Sequence, residues 1–338
     1  MRLVILGFGV VGRALARLIV DDAPRLARRC GVKPILVGVA DSAGAVYDHR
    51  GLDPLEILRV KEETGTVAGH TRGVKGMKGT ELLDAVYPDV LVEVSPTNLT
   101  DGEPGLTHIR EALKAGVNVV TTNKGPLALE MPALMELARY NRVSLRFSGT
   151  VGGGTPILDY GRLCLNGDRI ESFEGILNGT TNYILTRMTE ELSFKEALQE
   201  AQEKGYAERD PSMDIDGLDA ACKLVILANY LLGLRVTLRD IEVRGIRGIS
   251  REYVAEAYKK GYAVKLLASA EAGRLEVGPV EIPLRSPLCV WGNLNALTFK
   301  CERLGEQTVI GRGAGGVETA ISVLRDLIEI KRSLSRFE

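Results

Sequence analysis

The residues from Gly175 to Lys223 include GILNGTTNYILTRM and GYAERDPSMDIDGLDAACK, and they hold more chemistry than a fold requires. Glu208, Asp210, Asp214, Asp216 and Asp219 alternate with the turn formers Pro211 and Gly217, and Lys223 follows Asp219 by four residues. Residues at that spacing share a helix face, so Asp219 and Lys223 sit side by side where the apolar helix LVILANYLL begins. Acids, a Thr, a Tyr and a Lys gathered in this way look like a substrate pocket. The alternative is a solvated acidic turn running into a helix whose first turn favours Asp.

A second constellation stands at the N-terminus. The apolar run LVIL leads into Gly7, Phe8, Gly9, Val10, Val11 and Gly12 and then into a helical pattern, giving GxGxxG between a strand and a helix. In that context the first glycine permits a tight turn, the second lets backbone approach a pyrophosphate, and the third lets helix pack on strand. The helix N-terminus adds unpaired N–H groups for the anion. Asp41, closing the next apolar run, is the candidate acceptor for an adenosine ribose hydroxyl and would disfavour a 2′-phosphate. Arg50 and Lys61 follow it and could instead receive that phosphate, which leaves NAD or NADP open.

These groups need elements to position them. Apolar runs at Leu3 to Leu6, Ile35 to Ala40, Val90 to Val94, Val117 to Thr121 and Val143 to Ser148 predict parallel strands alternating with amphipathic helices. The stretch from Asp21 to Lys33 reads as an extension of the first helix and its connection. Open sheets of this kind bind ligands at the carboxyl ends of their strands. Ser95 to Asn98, with Ser95 and Thr97, and Thr121 to Lys124, with Thr121, Asn123 and Lys124, are polar there and could face a nicotinamide, although turns use the same residues.

Beyond residue 150, short strands are expected at Leu163 to Leu165, Ile170 to Leu177, Asp240 to Val243, Arg274 to Glu281 and Leu297 to Lys300. Helices are expected at Tyr183 to Glu190, Phe194 to Lys204, Gly217 to Leu232 and Ser250 to Lys260. The expected fold class is α/β, a Rossmann-type parallel-sheet nucleotide domain with an inserted α+β substrate domain. VIGRGAGG, from Val309 to Gly316, precedes a closing helix that can return to the nucleotide domain.

Composition narrows the class. A chain of 338 residues with 45% hydrophobic content can bury two cores, and a net charge of −1 without a single-sign block gives no signal for nucleic acid or an anionic membrane. Five cysteines without CxxC spacing suit reduced thiols in a cytoplasm. All three histidines, His49, His70 and His108, precede residue 110, so a histidine acid/base of the lactate or malate type lacks a candidate in the second half. No cysteine lies in a polar turn suited to a nucleophile.

GFGVVGRAL, TTNKGPLA, SGTVGGGTPI, GILNGTTNYILTRM, GYAERDPSMDIDGLDAACK and GRGAGGVETA occur in this order, and the chain resembles homoserine dehydrogenase over nearly its whole length. The resemblance implies reversible, NAD(P)-dependent interconversion of L-aspartate 4-semialdehyde and L-homoserine in threonine and methionine biosynthesis, in a homodimer. It implies that Glu208, Asp214 and Asp219 hold the substrate ammonium, that Lys223 is the proton donor, and that Lys124 lies beside cofactor and substrate. Gly179, Thr180 and Tyr206 match substrate contacts, and Gly313 and Gly315 are expected at the cofactor.

By the same resemblance, residues 1–147 and 314–338 form the nucleotide domain, 156–282 the catalytic domain, and 148–155 with 283–313 the dimerisation region. The carbonyls of Val151, Gly153 and Thr155 match a sodium site. Ser148 stands where some members carry a glutamate, and a tight glycine turn without an ion is the competing reading. No C-terminal ACT domain is expected. The remaining alternative is a non-catalytic NAD(P)-binding sensor, which loss of Lys223 or Glu208 would have favoured; both are present.

Overall fold

The computed structural model describes residues 1–271 and 273–334. Two compact units result, one made of residues 1–150 and 316–334 and the other of 151–315.

In the first unit the apolar runs become strands β1 (Arg2–Leu6), β2 (Ile35–Asp41), β3 (Gly44–Tyr47), β4 (Val74–Lys75), β5 (Val90–Glu93), β6 (Asn118–Thr121) and β7 (Leu145–Arg146). Their order is β4-β3-β2-β1-β5-β6-β7. The five strands expected from the sequence pair in parallel, whereas β3 and β4 add an antiparallel edge beside β2 that was not expected. Helices α1 (Val10–Asp21), α2 (Ala23–Cys30), α3 (Pro54–Thr64), α4 (Gly79–Val86), α5 (Gly105–Lys114) and α6 (Lys124–Tyr140) connect them. The expected extension of α1 is a separate helix, because the chain turns at Asp22 and Pro24 sits in the first turn of α2, where a missing N–H costs nothing. Because β1 lies between β2 and β5, the chain leaves it in one direction and later returns on the other side. That reversal is the topological switch point, where such sheets bind ligands.

The second unit begins with α7 (Ile157–Asp159) and a wide helical turn over Tyr160–Cys164. This corrects the strand expected at Leu163 to Leu165: Leu163 is exposed, while Gly161 packs closely under Leu231 and Phe299. There follow β8 (Ile170–Ile176), α8 (Gly179–Thr189), α9 (Phe194–Glu203), α10 (Ser212–Ile215), α11 (Leu218–Leu231), β9 (Glu242–Val243), α12 (Arg251–Lys259), β10 (Tyr262–Glu271), β11 (Arg274–Pro283), β12 (Leu294–Cys301) and β13 (Gly305–Arg312). The sheet order is β13-β12-β8-β10-β11-β9. β10 and β13 were not expected. β12 and β13 share one sheet with β8, so the segment assigned to dimerisation is continuous with the sheet that carries the acidic motif.

Helix α13 (Gly316–Leu334) returns to the first unit. Its buried Ala320, Val323, Leu324, Leu327 and Ile330 join Leu15, Ala16 and Ile19 of α1 and Leu3 and Ile5 of β1 in one core. Asp326 of α13 accepts from the Ser148 amide at 2.9 Å and its hydroxyl at 2.6 Å. Among the described residues no helix is long and apolar enough to cross a membrane.

Candidate active site

In the first unit the strand-to-helix turn carries out the division of labour expected of its glycines. Gly7 has φ +100, and a Cβ there would lie 2.5 Å from the Val94 carbonyl, so only glycine lets β1 pass so close to β5. A Cβ on Gly12 would meet the Gly7 oxygen at 2.3 Å, whereas nothing lies within 4 Å of the corresponding point on Gly9. Gly9 is also the N-cap of α1 and supplies no side-chain cap. The first N–H groups of α1, from Val10, Val11 and Gly12, have no acceptor within the helix and no side-chain cap, which fits a pyrophosphate. Phe8 is buried and anchors the turn from below.

The strand-end loops are tied together by a residue the sequence reading missed. Glu93, the fully buried last residue of β5, accepts from the Ser95 amide at 3.1 Å, from the Ser95 hydroxyl and from Thr121 Oγ1 at 3.2 Å. Asn123 Nδ2 reaches the Ser95 hydroxyl and the Pro96 carbonyl, each at 3.3 Å, while Asn123 Oδ1 caps α6 by accepting from Gly125 N. Thr121 is fully buried, and its hydroxyl supports this loop through Glu93. Thr97 is exposed, and Lys124, the first residue of α6, is partly exposed. The only sequence signal for Glu93 was an acid ending an apolar strand.

Asp41 departs from its expected role. Its Oδ1 accepts from Ala43 N at 3.0 Å and Thr66 Oγ1 at 2.8 Å, and its Oδ2 from Lys61 Nζ at 2.7 Å and Val67 N at 2.8 Å. A carboxylate offers about four acceptor positions, so none is left for a ribose hydroxyl. Burial pushes the Asp41 carboxyl up, but the donors from Lys61, Val67, Ala43 and Thr66 outweigh it and hold it below the usual range. Its charge is also compensated by Lys61 at the same 2.7 Å.

In the second unit the acidic motif closes on a lysine. Gly217, in the left-handed region, caps α11, and Asp219 in the first turn and Lys223 one turn later share a face, both buried. Lys223 Nζ donates to Asp219 Oδ2 at 2.6 Å and to the Leu177 carbonyl at 2.6 Å. Lys223 thus stands inside the helix rather than at its start. Asn178, another residue the sequence reading missed, joins the acids: its Nδ2 donates to Asp214 Oδ1 at 2.6 Å and to Asp219 Oδ2 at 2.8 Å, while its Oδ1 caps α8 through Thr181 N at 2.8 Å. Burial, followed by the Asp219 carboxylate, raises the Asp214 carboxyl above its usual range against the pull of Asn178, Lys223 and Thr180.

Thr180 Oγ1 donates to the Tyr206 carbonyl at 2.7 Å, which ties the acidic segment to the start of α8. At Gly179 a Cβ would come 2.7 Å from the Asn293 carbonyl, so bare backbone is needed there. Glu208 and the Tyr206 ring are exposed, and the Glu208 carboxylate has no hydrogen bond or ion pair among the described residues, so it stands apart from the cluster. Buried carboxylates arranged around an ammonium can bind a cation and direct a proton.

Val151, Gly153 and Thr155 lie in one turn, which packs on Gly313, and the Thr155 carbonyl accepts from Ile157 N at 2.8 Å with one lone pair left over. Gly313 and Gly315 follow β13 directly.

Comparison with known proteins agrees with this anatomy. A model of the homoserine dehydrogenase NAD-binding domain matches residues 7–148, and a model of homoserine dehydrogenase matches residues 156–328. The chain is 43% identical to the homoserine dehydrogenase of Methanocaldococcus jannaschii, over 99% of this chain and 100% of the relative. It is 38% identical to the NAD(+)-dependent homoserine dehydrogenase of Pseudomonas canavaninivorans, over 99% and 97% of the two chains. It also resembles the solved structure of a hyperthermophilic archaeal homoserine dehydrogenase in complex with NADPH, with a TM-score of 0.85, 33% identity and 98% of each chain covered. With models of both parts matched and relatives of this identity covered end to end, the chain belongs to the homoserine dehydrogenase family, NAD(P)-dependent oxidoreductases acting on a CH–OH group.

Proposed function

We propose that Lys223 is the proton-transferring residue in the interconversion of L-homoserine and L-aspartate 4-semialdehyde. The observation that carries this reading is the double anchoring of its ammonium. A lysine ammonium has three N–H donors, and two are spent on Asp219 and the Leu177 carbonyl. The third is left to meet the aldehyde oxygen and protonate it as hydride reaches the carbon. In the opposite direction the neutral amine takes the hydroxyl proton. A bound NAD(P) supplies or accepts the hydride.

Asp214 and Asp219, held by Asn178, offer negative charge to the substrate ammonium, and exposed Glu208 is free to turn to it. Gly179 and Thr180, with the first N–H groups of α8, suit the substrate carboxylate, and Tyr206 lines this segment. The turn of Gly7 to Gly12 holds the pyrophosphate; Ser95, Thr97, Asn123 and Lys124 border the nicotinamide end of that domain, and Gly313 and Gly315 contribute backbone to the cofactor. Asp41 acts indirectly, by occupying Lys61. The carbonyls of Val151, Gly153 and Thr155 remain the sodium ligands of this reading, the Thr155 oxygen through the lone pair that its bond to Ile157 N leaves open.

A homodimer in a reducing cytoplasm completes the reading. It is supported by β13, an outer strand that exposes Ile310 with Leu304 just before it, and by five free thiols. The deciding experiment is Lys223→Ala: turnover with homoserine should fall about 10²- to 10⁴-fold, as for loss of a general acid/base, with the Kd for NADPH retained. A kcat near that of the wild type would remove Lys223 from the chemistry.

A further inference from the structure

We infer that Asn295 is a positioning residue for Lys223, acting through the Leu177 carbonyl that both side chains share. This rests on the assignment of Lys223 as the proton carrier. Asn295, on β12, is 1% exposed, and its Nδ2 donates to the Leu177 oxygen at 2.9 Å. Lys223 Nζ donates to the same oxygen at 2.6 Å. A carbonyl has two lone pairs, so one is held by the amide and the other by the ammonium. Only the nitrogen of the amide can donate there, which fixes the orientation of the Asn295 side chain.

That orientation has a cost. Asn295 Oδ1 is buried and finds no hydrogen-bond partner among the described residues. A buried acceptor without a donor is unfavourable, and an apolar side chain would avoid it. The amide is also enclosed by bare backbone: a Cβ on Gly313 would lie 2.1 Å from its Nδ2, and one on Gly179 would lie 3.6 Å from its Oδ1. A donor is therefore kept at the Leu177 carbonyl despite a price at the other end of the same group. By holding that carbonyl from one side, Asn295 limits its swing and sets the direction of the Lys223 N–H that remains for substrate.

The groups around the ammonium are Asp219 on its own helix, Asp214 from α10, the neutral Asn178 and Thr180 at the start of α8, and Asn295 from β12. Lys265 of β10 is turned away, to Asn182 Oδ1 at 2.8 Å and the Val290 carbonyl at 2.7 Å.

The test compares Asn295→Asp and Asn295→Ser with wild type in homoserine oxidation, with thermal unfolding and NADPH binding as controls. Asn295→Ser is expected to lower kcat about 10-fold or more, with KM for homoserine changed less than about 3-fold, because its short side chain cannot reach the carbonyl while Asp219 and Asp214 remain. Asn295→Asp puts a carboxylate where the amide donated, which favours the charged lysine, so the alkaline rise of the kcat–pH profile should move to higher pH. A folded Asn295→Ser enzyme with wild-type kcat overturns the inference, as does a folded Asn295→Asp enzyme with an unmoved profile. If Asn295→Asp does not fold, Asn295→Ser decides alone. Activity retained in Lys223→Ala would instead sink the assignment of Lys223, so the two failures are separable.

Discussion

Cofactor choice is expected to turn on one ion pair. Asp41→Ser removes the carboxylate that holds Lys61 Nζ at 2.7 Å in a site where the Asp41 side chain is 7% and the Lys61 side chain 21% exposed. In the wild type a 2′-phosphate meets a lysine already neutralised by an acid; in the variant it meets an unpaired ammonium. The gain is about one charge-assisted hydrogen bond, ~1.5–3 kcal/mol, or roughly 10- to 100-fold in NADPH affinity. NADH has no charge at that position and finds the Asp41 acceptors already occupied, so its Kd should change less than about 3-fold. Ser42 and Ala43 keep their turn, because a serine hydroxyl can still accept from the Ala43 amide. Nucleotide fluorescence titrations at two salt concentrations read both constants, and the NADPH gain should shrink at high salt. Lys61→Ala is the control and should weaken NADPH selectively. Weaker NADH binding by about 10-fold with NADPH unchanged would refute the reasoning and return Asp41 to the ribose hydroxyl.

Glu208→Gln should raise KM for homoserine by about 10-fold or more, as expected for loss of one charge-assisted contact, and leave KM for the nucleotide within about 2-fold; equal rises would make the residue structural. Asp214→Asn should stabilise the protein at neutral pH while weakening homoserine binding. The raised Asp214 carboxyl favours the fold below its unfolded value and loses that contribution as pH rises through the folded one, so the ionised form is a burden at pH 7. Scanning calorimetry should show a higher Tm for Asp214→Asn at pH 7 by about 2–4 °C, the shift for about 1 kcal/mol, with the difference vanishing near pH 3. Gly12→Ala places a methyl 2.3 Å from the Gly7 oxygen, so it should lower Tm and weaken both nucleotides together. Preferential loss of one nucleotide would contradict a packing role.

Local pattern carried much of this molecule. GxGxxG after LVIL needs only neighbours in sequence to be read, and the Asp219–Lys223 pair needs only the helical period. What escaped depends on distant partners. β10 contains YAVKLLASA, and β3 is a four-residue run; each is a strand because a neighbouring strand accepts it. Leu163 to Leu165 had the composition of a strand and no partner to pair with. Lys265, fully buried with its amine pushed down to about 8 by burial, lies inside β10 and was hidden with it. Asn178, Asn295 and Glu93 look like turn or surface residues in the sequence, and only their hydrogen bonds across 28 to 118 residues show otherwise. Asp41 was placed at the right strand end, but its neutralising donors come from α3 and the segment after it.

The return of α13 to the first unit sets an order of assembly during synthesis. Strands β1 to β7 are made first, yet the apolar side chains Ala320, Val323, Leu324 and Leu327 that cover β1 and α1 emerge only after all of residues 151–315. At roughly 5–20 residues per second, the nascent sheet waits about 10–30 seconds with Leu3, Ile5 and Leu15 incompletely covered. The intervening unit, residues 151–315, is one continuous stretch and is made in that interval. Ser148 likewise waits for Asp326, 178 positions later, so the nucleotide-binding half, although first off the ribosome, is the last to be sealed.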